Sequence, residues 1–176
     1  KVEYVKTSVK PQEVNADLRR LSPIAKVPVL ETDHGAGLHD SRVIMEYLVH
    51  VSGRTELLPH EGVKRFRILT LQATAQGAAD AAVSLRYEQA VRPEDKRWPE
   101  FHDRQRQRVL DTLADLEQNW LDTLAAVTVG SICTACMLGY VDFRHGALAW
   151  RTHFPRLAEF EARFAPRDSM KAWALA

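Results

Sequence analysis

Two stretches decide how this chain is read. The first is Ser22-Pro23-Ile24-Ala25-Lys26-Val27-Pro28-Val29-Leu30. The second follows a turn at Asp33-His34-Gly35-Ala36-Gly37 and runs Leu38-His39-Asp40-Ser41-Arg42-Val43-Ile44-Met45-Glu46-Tyr47-Leu48. Val27-Pro28-Val29-Leu30 has strand composition, but a proline cannot donate to a ladder, so Pro28 belongs at an edge or in a special turn. Were Val27-Pro28 cis, the chain would turn sharply and leave the Val27 N–H and C=O free for an extended peptide. The turn makes residues 27–39 a hairpin. Asp40-Ser41 is a polar pair ahead of Val43, Ile44, Tyr47 and Leu48, which share one helical face, and Gly53 closes that helix. The start of a helix favours a carboxylate. Taken alone the pair reads first as a plain N-cap; as a site, the Ser41 hydroxyl would add a hydrogen bond and the Asp40 carboxylate would suit an ammonium, so that the pair would fit the two charges of an α-amino acid.

Outward from this centre the pattern changes. Lys1 to Thr7 alternates as a strand does, and Pro11 opens a helical stretch to about Leu21, which Ser22-Pro23 ends. After about residue 60 no convincing strand is found. Residues 63–91 form one long helical pattern whose middle, 73–82, is rich in small residues and carries Gly77. Another runs from Pro99 to about Ala125, with Val109, Leu113, Leu116, Trp120 and Leu124 on one stripe. Thr128 to about Phe143 is apolar nearly all round and reads as a central buried helix. Shorter helices are expected near 147–164 and 168–174. The fold class is therefore α+β overall and mostly helical: a small mixed unit at 1–53, a linker at 54–61 and an all-helical unit at 62–176. Three short strands and two helices make an incomplete first unit with open sheet edges. The chain also begins at Lys1 without Met, so a further strand and helix are expected upstream.

Composition excludes several classes. The 176 residues include 24 Lys plus Arg against 23 Asp plus Glu, a formal net charge of +1, which gives no broad field for nucleic acid. Arg104, Arg106 and Arg108 are interrupted by acids and read as a solvated face. No apolar run approaches a membrane span. The two cysteines exclude a disulfide scaffold and fit a reducing, cytoplasmic setting. They form Cys133-Thr134-Ala135-Cys136 inside an apolar helix, where both are expected to be packed rather than redox-active. No metal is expected, since no second C-x-x-C and no H-E-x-x-H is present. The seven histidines are assigned surface or cap positions.

Taken in order, Asn15, the 22–30 stretch, the turn and the 38–48 stretch resemble the glutathione transferase superfamily, in its bacterial branch. Leu71-Gln72-Ala73, Arg92-Pro93-Glu94, Arg104-Gln105-Arg106, Gly139-Tyr140-Val141-Asp142-Phe143-Arg144 and Phe154-Pro155-Arg156-Leu157 are similar too. The resemblance implies a thioredoxin-like α/β domain followed by an all-helical domain, with glutathione as co-substrate. In that reading Pro28 is a cis-proline, Val27 pairs through its backbone with the cysteinyl part of glutathione, and Asp40 and Ser41 hold its γ-glutamyl end. Lys26 lies beside this site. The acceptor, a small electrophile, would face the helix of residues 63–91, where Asp80, Arg86 and Tyr87 are candidates. A homodimer would form through the helix around 73–82. The implied activity is conjugation of glutathione to electrophiles, a detoxifying transferase. The alternatives are a glutathione-dependent reductase or lyase, or a non-catalytic binding or regulatory member. The catalytic residue is unknown: the Ser, Tyr or Cys that activates the thiol is expected upstream of Lys1. The family's Ser/Thr-x-x-Asp box is here Thr128-Val129-Gly130-Ser131, from which a weaker cap is expected.

Overall fold

A computed structural model describes residues 2–7, 9–10 and 12–173. The chain divides into two compact units, residues 1–55 and 56–176.

In the first unit, α1 (Ala16–Leu21) starts at Asn15, whose side-chain oxygen accepts from the Leu18 N–H at 3.1 Å. The helix therefore begins later than Pro11, which lies outside the described residues; the Asn15 cap sets its start. Ser22 closes it, and a turn follows in which the Ala25 N–H donates to the Ser22 carbonyl. β1 (Leu30–Glu31) and β2 (Gly37–Leu38) pair antiparallel, Leu30 opposite Leu38 and Glu31 opposite Gly37. This is the expected hairpin with a much shorter ladder. Residues 2–7 form no strand, and Lys1 lies outside the described residues. Alternation alone does not make a strand. It needs a ladder partner, and among the described residues the only ladder is β1–β2. Gly37 packs so tightly that a Cβ there would collide with the Leu21 carbonyl. α2 (Ser41–Ser52) ends at Gly53, whose φ of +66° suits glycine. Ile44 and Val49 are its buried residues, whereas Val43 is exposed, so the face is rotated from the expected one.

The second unit is built on α3 (Val63–Ala90), α4 (Pro99–Asn119) and α6 (Val129–His145). Between the last two lies α5 (Leu121–Leu124). Then come α7 (Trp150–His153), α8 (Pro155–Phe164) and α9 (Asp168–Lys171); residue 174, where the last helix was expected to end, lies outside the described residues. Val109, Leu113, Leu116 and Leu124 are buried as their spacing requires. Trp120 interrupts the helix, however, and its indole donates to Asp115 at 2.7 Å. Leu71, Leu85, Leu138, Trp150 and Leu157 join that stripe in one continuous core. α6 lies close against α3: a Cβ on Gly130 would sit 2.9 Å from the Ile68 carbonyl oxygen. Its N-terminus carries a full reciprocal cap. Ser131 N–H donates to the Thr128 hydroxyl at 3.2 Å, and Thr128 N–H donates to the Ser131 hydroxyl at 2.8 Å. A hydroxyl thus replaces the carboxylate in the box. Val129 N–H donates to the Leu57 carbonyl at 3.0 Å.

Candidate functional site

The Val27–Pro28 peptide bond is cis, and so is His39–Asp40. Lys26, Val27 and Pro28 are all exposed, and no hydrogen bond to the Val27 backbone is found among the described residues. Asp40 is the N-cap of α2. Its carboxylate accepts from the Arg42 N–H at 3.0 Å and from the Arg42 guanidinium at 2.8 Å. The guanidinium bonds, more than the backbone ones, hold the Asp40 carboxyl below the usual carboxylate range. Asp40 is therefore ionised, as an ammonium partner requires. The Asp40–Arg42 pair is about half exposed on both sides. Such a pair is worth about 0.2–1 kcal/mol, so a ligand ammonium can compete for it. The Arg42 N–H, in contrast, is used by the protein's own cap, which leaves Ser41 as the other polar group at this helix start. The sequence reading foresaw neither the Arg42 pairing nor the groups behind the site. The Ser22 hydroxyl and His39 Nδ1 are both buried without a partner.

Asp80 and Tyr87, seven residues apart, share one face of α3, and Arg86 stands to one side of it. Asp80 accepts from Gln76 at 3.1 Å on the open face of α3. Tyr87 lines a cavity of about 370 Å³ with Ser84, Glu88, Val91, Arg92 and Phe101. Beneath it, Glu88 is buried and clamps the α3–α4 turn, accepting from the Trp98 N–H at 2.6 Å and from Arg92 at 2.7 Å. Arg86 lies one turn past Ala82, whose carbonyl is 2.8 Å from His145 Nε2. His145 is buried, which corrects its assignment to the surface; desolvation lowers its pKa despite the bond to Ala82. Desolvation raises the Tyr140 pKa, with Arg144, Tyr87 and Arg86 near enough to act on the phenol.

α6 is not buried on every side. Cys136 is exposed and Cys133 half-buried, its thiol 3.6 Å from the Gln72 carbonyl, which corrects the expectation that both are packed away. Desolvation by the surrounding helix still raises the Cys136 pKa, the opposite of what a reactive thiol needs. Among the described residues, no group of three or more His, Cys, Asp or Glu is placed to hold a metal, and no helix is long and apolar enough to cross a membrane.

A cis Val27–Pro28 ahead of an Asp-capped helix, in a chain that continues into a helical unit, defines a class that the comparisons identify. Residues 1–51 match the family model for the glutathione S-transferase N-terminal domain, and residues 99–163 match the C-terminal domain model. The uncharacterized GST-like protein YibF of Escherichia coli K12 is 33% identical over 160 residues, 88% of this chain and 79% of the relative. A glutathione transferase family member from Pseudomonas fluorescens Pf-5, solved with bound glutathione, is 40% identical. It has a TM-score of 0.92 and covers 94% of this chain and 82% of its own. Another structure of a Pf-5 family member, with bound S-(propanoic acid)-glutathione, is 37% identical, has a TM-score of 0.84 and covers 97% and 83%. The chain belongs to the glutathione S-transferase family.

Proposed function

We propose that this protein is a glutathione transferase that joins the glutathione sulfur to a small electrophile. The observation that carries the reading is the pairing of a cis Val27–Pro28 with an ionised Asp40 beside Ser41 in one small unit. Relatives solved with bound glutathione support it. In this reading the Val27 N–H and C=O pair with the extended cysteinyl part of glutathione, as an added strand would. Asp40 takes the γ-glutamyl ammonium, exchanging it for the exposed Arg42 contact. Ser41 and the start of α2 take the adjoining carboxylate. Lys26 adds positive charge beside the peptide.

The reaction is nucleophilic. The sulfur supplies the electron pair of the new S–C bond, the leaving group departs with the pair of the bond it breaks, and the thiol proton goes to solvent. Asp80, Arg86 and Tyr87 belong to the acceptor side; Asp80 lies seven residues before Tyr87 on the same face of α3 and pairs there with Gln76. The relative holding S-(propanoic acid)-glutathione supports an acceptor that leaves a short acid on sulfur. A second copy is proposed to cover the open seam of α3, and two cysteines not joined in a disulfide fit a cytoplasmic protein.

The test is retention on immobilised glutathione. The full chain should be retained, and Asp40→Ala plus Ser41→Ala should weaken binding at least tenfold, the loss of one charge-assisted bond. Equal retention of both would show the site assignment to be wrong. A non-catalytic binding protein would be retained in the same way but form no thioether with a chloronitroarene.

A further inference from the structure

Two arginines stand where α3 meets the last turn of α6. Arg86 comes from α3 and Arg144 from α6, and among the described residues neither makes an ion pair or a hydrogen bond. The acids of α3 and α6 themselves are each held by other groups. Asp142 holds the Trp150 indole at 2.7 Å and Arg151 at 2.6 Å. Glu88 holds Arg92 and the Trp98 N–H. Asp80 holds Gln76. The His145–Ala82 contact places both arginines on one junction, since Arg86 lies one turn past Ala82 and Arg144 directly precedes His145.

The surroundings are flat and apolar. The Arg144 guanidinium lies 3.8 Å over the Phe143 ring, and Phe143 is itself exposed. A guanidinium stacked on one face keeps its N–H edge free for a carboxylate. Tyr140 is half-buried beside it, its ring edge-on to His145. His145 ties this end of α6 to the Ala82 carbonyl, so the two arginines are carried on helices fixed to each other rather than on a loop. Two guanidiniums beside the half-buried Tyr140 and exposed Phe143, with the acids of α3 and α6 held elsewhere, call for an anionic ligand with a flat body.

We propose that Arg86 and Arg144 select the acceptor, favouring aromatic or conjugated electrophiles that carry a carboxylate, with Tyr140 and Phe143 packing against the flat body. This rests on the transferase reading in placing the acceptor on this unit, and it adds the substrate class and the residues that discriminate.

The probes are a matched pair, 4-chloro-3-nitrobenzoate and 4-chloro-3-nitrobenzamide, which differ in charge; because the neutral amide activates the ring more, each kcat/KM is divided by that probe's uncatalysed rate with glutathione. With saturating glutathione, the full-length protein should show a kcat/KM for the benzoate about ten- to hundredfold above that for the amide, the scale of a hydrogen bond to a charged group. Arg86→Gln plus Arg144→Gln should bring that ratio close to one, and the corresponding Lys variants should keep part of it. Arg144 is exposed and Arg86 half-buried, and an unchanged melting temperature certifies that the fold is intact. A ratio near one in the unaltered protein, or one that the Gln variants leave unchanged, overturns the proposal and leaves the transferase reading standing.

Should neither probe turn over, binding of 4-nitrobenzoate and 4-nitrobenzamide without glutathione, read by tryptophan quenching, separates the two readings. Arginine-dependent preference for the benzoate keeps this site while the transferase reading fails. No preference overturns the site as well.

Discussion

The two units of this molecule hold themselves together by different means. In residues 1–55 the buried apolar side chains are Leu18, Ile44 and Val49, while Val2, Tyr4, Val5, Ile24 and Val43 remain exposed. Residues 56–176 contain a continuous core in which Leu71, Val109, Leu113, Leu116, Leu138, Val141 and Leu157 are fully buried. Caps, a two-residue ladder and a cis peptide bond shape the first unit. Interdigitated side chains shape the second. The candidate glutathione groups are backbone atoms and cap residues of the lightly packed unit, and the candidate acceptor groups stand on helices of the well-packed one. Grip on a peptide-like ligand thus needs little core, whereas a wall for an apolar acceptor needs much.

The largest effect should come from the core of the second unit. Leu138→Ala removes a fully buried side chain from α6 and should cost about 2–5 kcal/mol. Ile44→Ala in the first unit should cost less, because that site is thinly surrounded and relaxes more easily. All four tryptophans lie in the second unit, so urea unfolding followed by their fluorescence reports on it alone. Amide exchange should show α2 opening well before α6. Equal protection of the two helices would erase the contrast. Glu88→Ala comes next. It leaves the Trp98 N–H and Arg92 without their buried acceptor and should cost about 1–3 kcal/mol. Arg92→Ala, at the half-exposed end of the same pair, should cost much less.

Acid should separate the units by a different route. His145 has a lowered folded pKa, so the unfolded chain binds its proton first. Its contribution is fully present above about pH 6.5 and declines as pH falls from there towards the folded value. Asp40 is depressed too, and its contribution persists until pH falls below about 4, the ordinary carboxyl range. The helical unit should therefore lose stability first on acidification and the first unit later. His145→Gln should flatten the upper step while keeping a bond to the Ala82 carbonyl. Asp40→Ala should flatten the lower step and remove about 1 kcal/mol of capping at neutral pH. Stability measured in urea from pH 8 to pH 3, with each variant beside the parent, checks both.

What sequence made legible follows the same division of physics. The α4 stripe follows from spacing alone, since Val109, Leu113 and Leu116 repeat at helical period. The caps at Asp40 and Thr128 are equally local, as are the Gly53 stop and the turn at 33–37. Residues 2–7 alternate correctly yet make no strand, because a strand is a relation between two segments and alternation describes only one of them. The all-apolar run of α6 revealed a core helix but not that Cys136, Tyr140 and Phe143 lie towards an open face. Which side of an apolar helix stays open depends on its neighbours. Arg86 and Arg144 are far apart in sequence and meet at one junction because α6 packs against α3, with His145 tied to Ala82.

The smallest effect expected is also the one with two signs, at Gly77. This glycine is on the exposed side of α3, in line with Phe66, Thr70 and Ala73, and a Cβ added to it would meet nothing within 4 Å. Within a single chain, then, Gly77→Ala costs no packing and gains helix propensity. It should stabilise the protein by about 0.8–1 kcal/mol at protein concentrations low enough to dissociate any dimer. If a second copy covers this seam, the same methyl intrudes where two helices approach most closely. The variant should then dimerise more weakly, and its melting temperature should rise less steeply with protein concentration than that of the parent. A melting temperature that is higher than the parent's at every concentration, with the same concentration dependence, would place the dimer contact elsewhere. The open seam of α3 would then be a solvated face, and the contrast between the units would lie in packing density alone.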